Sequence, residues 1–274
     1  MTGFVRIGGV PHHVTVEGAG PVCVLSAGLA MCWFDWEPVV PLLAPHRTVV
    51  RFDRPGHGLS GPATAAPTAA GEAHRIAAVL DALGMGTERV TAVGHSLAGF
   101  HAEAFARLYP ARTAGLVLVD SSVEERARPP LLPALHTATA RSLGTALAAV
   151  GAPAALGPLA RRMMVRLSRA GHAPDPAPTA LVRRCYRTRR VLDGALLENA
   201  HYMSVAAELL SLRPRHPLPP HLPVRVLATP EPPWSTRQRA LATTLNAHFT
   251  PVPATGHLMM LDRPDTIAGA VLHP

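Results

Sequence analysis

The sequence predicts an α/β fold: a mostly parallel eight-stranded sheet flanked by helices, with an inserted helical cap. Three observations lead there. Short β-branched runs closed by glycine alternate with stretches of helical period. That alternation stops after Ser122 and resumes near Pro223. The chain has 274 residues, 48% of them hydrophobic, which is enough to bury one large core.

Phe4–Ile7 and His13–Glu17 read as two strands turned at Gly8-Gly9. Runs 21–25 and 48–52 are short and apolar, and each is followed by a glycine-containing loop, as suits strands buried on both faces. Residues 71–83 place Ile76, Val79, Leu80 and Leu83 on one helical face. A strand over 89–93, a helix over 97–108 ending before Pro110, and a strand over 115–119 follow. Strand, helix and strand in this order call for parallel pairing through right-handed crossovers. Residues 123–213 carry helical patterns and proline-rich joints but no strand. Strands return at 223–227 and 248–252, with helices over about 236–247 and 263–272. The expected organisation is a core over 1–122 and 214–274, with the cap over 123–213.

All 26 basic residues are arginine, and the formal charge is +8. A coding bias toward Ala, Arg, Gly and Pro is one explanation. Attraction to an acidic carrier protein, a carboxylate substrate or a membrane surface is the other. Zinc-finger spacing, RNA-binding aromatic motifs and long basic runs are missing, so nucleic acid is not an expected partner. Cys23, Cys32 and Cys185 are odd in number and match no metal or disulfide framework, which suits free thiols in a reducing compartment. Residues 1–10 lack the apolar core of a signal peptide, and no apolar run reaches the ~18 residues of a membrane span. A soluble, cytoplasmic protein is expected.

Gly94-His95-Ser96-Leu97-Ala98 lies between an expected strand and an expected helix. A nucleophile on such a sharp turn needs small neighbours, and Gly94, Ala98 and Gly99 supply them. The helix beneath it offers unspent N–H groups and partial positive charge to an oxyanion. A serine hydroxyl also needs a base. Among 15 histidines, His257 is placed for that work, after the last expected strand and before the terminal helix. His95 is read as packing beside the site, and His57 as bracing its glycine-rich loop.

Together these motifs resemble the α/β-hydrolase superfamily along nearly the whole chain outside the middle segment. Gly94-His-Ser-Leu-Ala-Gly99 is similar to that family's nucleophile elbow. Asp53-Arg-Pro-Gly-His-Gly-Leu-Ser60 resembles the loop after its fourth strand. Gly256-His257, followed by Leu258-Met-Met-Leu-Asp-Arg-Pro264, resembles its catalytic-histidine loop. Two departures stand out: Ala98 replaces the usual glycine, and Ser26-Ala27-Gly28 replaces a common His-Gly. The resemblance implies oxyanion donors at the Leu29 and Leu97 amides. It also implies a cap lining a substrate pocket, with candidates His95, Trp33, Met163, Met164, Tyr186 and Tyr202. Trp33, with Phe34 and Trp36, serves equally as packing.

The third member of a triad is open. The usual family position follows the seventh strand, where this chain has Pro232, with Glu231 one residue early. Asp120, at the end of the sixth strand, is the alternative carried by some family branches. A chain with no functional acid is the third possibility. Asp262 is read as a cap for the last helix.

Ser96 stands where dehalogenases and epoxide hydrolases of this family carry an aspartate, and the absence of lysine argues against its plant-type hydroxynitrile lyases. Phosphate loops, dinucleotide fingerprints and metal clusters are not visible, so no cofactor is expected. The reading is a serine hydrolase acting on an ester, lactone or thioester through an acyl-enzyme on Ser96, with a small-molecule acyl substrate and an acidic carrier as a possible partner. The rivals are a cyclase, lyase or acyltransferase on the same scaffold, and a ligand-binding protein with a decayed triad. Nine arginines and one acid lie between Arg161 and Arg190. There Arg162, Arg166 and Arg169 share one helical side and Leu159, Met163 and Leu167 another. A solvated face or a docking surface would each explain them.

Overall fold

The computed structural model describes residues 1–274. Its strands are β1 (Thr2–Ile7), β2 (Val10–Glu17), β3 (Val22–Ser26), β4 (Thr48–Phe52), β5 (Val90–His95), β6 (Thr113–Val119), β7 (Val224–Ala228) and β8 (His248–Pro251). They form one sheet in the order β1-β2-β4-β3-β5-β6-β7-β8. The first two pairings are antiparallel and the rest parallel. The patterns follow position. Every residue of β3 and β5 is buried, as continuous apolar runs require, whereas edge strand β1 alternates with period two.

The core helices are α1 (Val40–Leu43), α2 (Ala69–Ala82), α3 (Ala98–Leu108), α8 (Trp234–Thr244), α9 (Met259–Asp262) and α10 (Pro264–Leu272). Two hydrophobic clusters fill the two faces of the sheet. Val22 and Val24 face one, with α2, α3 and α8; Cys23 and Leu25 face the other, with α1, α9 and α10. Each such fully buried Val or Leu contributes about 1.5–3 kcal/mol. Helix α2 starts where the Thr68 side chain accepts a hydrogen bond from the Gly71 amide.

Between β6 and β7 run four helices, α4 (Pro133–Ala149), α5 (Ala152–Ser168), α6 (Thr179–Tyr186) and α7 (Arg189–Arg215). Helix α7 joins this layer to the core. Its first half packs on α4, while Val205, Ala206, Leu209 and Leu212 belong to the larger core cluster. After β3 the chain moves to β4 on one side, then returns to β5 on the other. The crevice beyond the carboxyl ends of β3 and β5 is therefore a topological switch point, the usual place for a site in such sheets.

Candidate active site

Ser96 sits at the turn from β5 into α3 with φ +53°, a left-handed conformation rare for a non-glycine residue. Three backbone hydrogen bonds hold it there. The Ser96 amide donates to Val119 at 3.1 Å, and its carbonyl accepts from Gly99 at 2.9 Å and Ser122 at 3.0 Å. A Cβ on Gly94 would lie 2.3 Å from the Ala98 carbonyl oxygen, so this turn requires glycine two residues before the serine.

The loop after β3 passes directly over this turn. A Cβ on Gly28 would stand 3.1 Å from Ser96 Cβ and 2.8 Å from His95 Nδ1. Two buried side chains clamp the loop by its carbonyls. The Arg54 guanidinium donates to Ala27 and, at 2.9 Å, to Gly28; the Tyr186 hydroxyl donates to Ala30 at 2.7 Å. A trans peptide points its C=O and N–H in opposite directions, so holding the Gly28 carbonyl on Arg54 turns the Leu29 N–H away from it. Neither the Leu29 amide nor the Leu97 amide is spent on a hydrogen bond in the surrounding turns.

Arg54 is itself fixed by Glu198 of α7 through two bonds of 2.6 and 3.0 Å. Burial alone would raise Glu198, but the charges of Arg54 and His57 outweigh it and hold the carboxyl far below the usual range. Arg54 is raised in turn, because Glu198 outweighs its desolvation.

Asp120 directly follows β6, also at positive φ, +42°. Its Oδ2 lies 2.5 Å from His257 Nδ1. Its Oδ1 accepts from Trp234 Nε1 at 2.7 Å and from the Thr229 amide at 3.2 Å. With Nδ1–H donating to the carboxylate, the lone pair of His257 is on Nε2. His95 braces the same loop from below, its Nε2–H donating to the His257 carbonyl at 2.9 Å. Burial, then the neighbouring His257, push His95 well below the usual histidine range and keep it neutral. Asp262 holds the other flank, accepting from the Gly256 and Ala170 amides at 2.9 Å each and from Arg169 at 2.7 Å.

The structure thus brings Ser96, the Leu29 and Leu97 amides, Asp120 and His257 to neighbouring loops at one end of the sheet. It does not place every expected residue there. Glu231 is exposed beside the start of α8, and Asp120 occupies the Nδ1 side of His257. His95 is fully buried, so it supports the site from beneath and lines no pocket. Met163 lies on the outer side of α5, and its neighbour Met164 faces inward; helical spacing puts the two about 100° apart. Tyr202 packs on Phe100 and donates to Glu124 at 3.1 Å, outside the cavities among the helices between β6 and β7. Trp33 borders a cavity of about 340 Å³ beside Arg161 and also packs on His13. Asp262 ties the histidine loop to the end of α5 in place of capping α10.

A second, apolar cavity of about 380 Å³ lies among α4, α5 and α7, bounded by Leu147, Leu156, Met164, Tyr186 and Ala30. Ala30 connects it to the loop over Ser96. An open depression of about 350 Å³ is formed by Asp120, Thr229, Trp234 and His257. No cluster of three or more His, Cys, Asp or Glu side chains is placed to hold a metal ion.

Sequence reasoning missed the Arg54–Glu198 clamp and the Trp234 and Thr229 donors. Arg54 stood inside a recognised motif, and Glu198 was an acid within an apolar helical stretch. Nothing local linked them.

The chain belongs to the α/β-hydrolase family, whose model matches residues 18–270. Among curated relatives, an uncharacterized protein of Mycobacterium tuberculosis is 34% identical over 118 residues, 43% of this chain and 34% of that one. The 2-hydroxy-6-oxo-2,4-heptadienoate hydrolase of Pseudomonas putida is 34% identical over 127 residues, 43% of this chain and 44% of that one. These matches therefore span less than half the length of the relatives. Among solved structures, Cfl2 of Burkholderia cenocepacia superimposes with a TM-score of 0.77 at 20% identity, covering 98% of this chain and 93% of that one.

Proposed function

We propose that this chain is a serine hydrolase that cleaves a carboxylic ester, lactone or thioester of modest size through an acyl-enzyme on Ser96. The observation that carries the reading is the 2.5 Å contact of Asp120 with His257 Nδ1, on the loops flanking a strained serine. In the first half-reaction Ser96 Oγ attacks the substrate carbonyl carbon and its proton passes to His257 Nε2. The oxyanion rests on the Leu29 and Leu97 amides, donors typically worth about 3 kcal/mol each. As the tetrahedral intermediate collapses, the bond to the leaving group breaks and His257 returns the proton to it. Water then gives a proton to His257 and adds to the acyl carbon. Collapse releases the acid, and Ser96 recovers its proton.

Hydrolysis is favoured over acyl transfer or cyclisation by access. The His257 side chain is 41% exposed at an open depression that water can enter. The Pseudomonas putida relative, named a hydrolase, is consistent with this. A fluorophosphonate probe read by intact mass tests the proposal. One adduct on the wild type, lost in Ser96→Ala, is expected; an unlabelled wild type, or an adduct surviving in the variant, overturns it.

A further inference from the structure

The helical layer between β6 and β7 carries a surface that catalysis does not use. From Arg126 to Pro174 the chain has seven arginines and no acid. Helix α5 lies in this stretch and is firmly seated. Val165 is buried, and Arg161 donates to Asp35 and, at 3.1 Å, to Asp175 in a fully buried cluster. Its opposite side is not covered. Leu156, Leu159, Met163 and Leu167, spaced three, four and four residues apart, form one stripe along the helix, each 47–65% exposed. Val150, at the joint with α4, extends the apolar surface. Arg162 and Arg166 lie along one flank of the stripe by helical spacing; Arg162 is half-buried and donates to the Asp175 carbonyl at 3.2 Å and the Thr179 hydroxyl at 2.8 Å, whereas Arg166 is exposed without an ion pair.

Two further features connect this surface to the interior. Leu156 belongs both to the stripe and to the wall of the 380 Å³ apolar cavity, so the cavity opens beside the stripe and ends at Ala30. The far end of α5 is bonded to the histidine loop: the Leu258 amide donates to Ser168 at 3.2 Å, and Arg169 and the Ala170 amide donate to Asp262.

We propose that α5 is a peripheral docking face for an anionic lipid surface, laid in the interface with its leucine and methionine stripe among the acyl chains and its arginines at the headgroups. A seated helix with an uncovered apolar stripe, a cationic flank and no acid in its own sequence has the composition of an interfacial amphipathic helix. No single helix is long and apolar enough to cross a membrane; α4 and α5 reach that length and apolarity only together and are bent by 106° at their joint, a shape suited to lying along a surface. An acidic carrier protein would meet the arginines but would leave the apolar stripe uncovered. The cavity mouth beside Leu156 would then receive apolar substrates from the lipid phase. The docking itself does not rest on the hydrolase reading, since it is measured by partitioning.

The test is co-sedimentation of the full chain with vesicles of phosphatidylcholine, with and without phosphatidylglycerol. Binding only to the anionic vesicles, weakened by salt, is expected. Met163→Ser/Leu167→Ser and Arg162→Glu/Arg166→Glu should each reduce the partition coefficient about tenfold or more. Unchanged thermal melting and fluorophosphonate labelling would show that these variants remain folded. Four results would overturn the proposal: no vesicle binding at low salt; binding indifferent to both variants; concentration-dependent dimerisation abolished by the serine variant, marking a self-interface; or capture by an acidic acyl-carrier protein with no affinity for vesicles.

Discussion

The crevice over β3, β5 and β6 and the outer helical layer formed by α4 and α5 solve opposite problems. In the crevice the polar groups that frame the serine are committed: Asp120 accepts three hydrogen bonds, Glu198 accepts two from Arg54, and the Ala27, Gly28 and Ala30 carbonyls are each held. In the outer helical layer, leucines remain in water, and only Ala140 and Gly144 of α4 are buried. The contrast locates the specificity of the structure in the crevice. A preorganised site needs fixed dipoles, and fixing them takes satisfied, buried partners from distant segments. A docking face needs only to be presented.

The largest expected effect tests the crevice directly. Ser96→Ala should lower turnover on a small ester by about 10⁴-fold or more while leaving the urea midpoint nearly unchanged. A residual rate near the wild type would move the chemistry elsewhere.

Asp120→Asn should cost about 10³–10⁴-fold in kcat, because an amide there no longer selects the Nδ1–H tautomer of His257. Glu231→Gln should leave the rate unchanged. A reversed pattern in steady-state kinetics would return the acid's role to Glu231.

Arg54→Met takes the guanidinium from the buried carboxylate of Glu198, leaving it only His57 at 3.2 Å, and releases two loop carbonyls. A loss of about 3–5 kcal/mol in urea unfolding is expected. The double variant Arg54→Met/Glu198→Leu should recover part of it.

Acid should weaken the fold. Burial lowers His101 to about 4, and His95 is lowered as well. The unfolded chain therefore takes up these protons first. The stability they contribute is complete above the ordinary histidine value and is lost as pH falls from about 6.5 toward 4, on the order of 3 kcal/mol for His101. Glu198 acts in the same direction at lower pH: its carboxyl is depressed, so its contribution is present above the ordinary carboxylate range and lost below it. Unfolding free energy measured from pH 7 to 4 should fall steadily; a flat profile would mean that these histidines are not neutral in the fold.

The smallest effect is expected on the outer helical layer. Leu159→Ser, on the exposed side of α5, should shift stability by no more than about 0.5 kcal/mol and leave fluorophosphonate labelling intact. A larger loss would show that the stripe packs on something within the chain.

The alternation of strand and helix, the serine turn and the histidine loop were legible in the sequence because each is a local pattern. Buried parallel strands are continuous apolar runs, a strained elbow demands small neighbours, and Gly94 is required by the approach of Ala98 two residues past the serine. Helix period placed Met163 and Met164 on α5 but could not say which one faces inward, since that depends on the helix's rotation about its axis.

The partnerships across the chain were settled by the folded arrangement alone. Arg54 meets Glu198 across 144 residues, and His257 meets Asp120 across 137. Asp262, four residues into the last segment's motif after Leu258, turned from an expected helix cap into the link between the histidine loop and α5. Such contacts leave no periodic trace. They arise when separate hydrophobic faces close on one another and a buried charge must find whichever opposite charge or amide the closed core brings within reach.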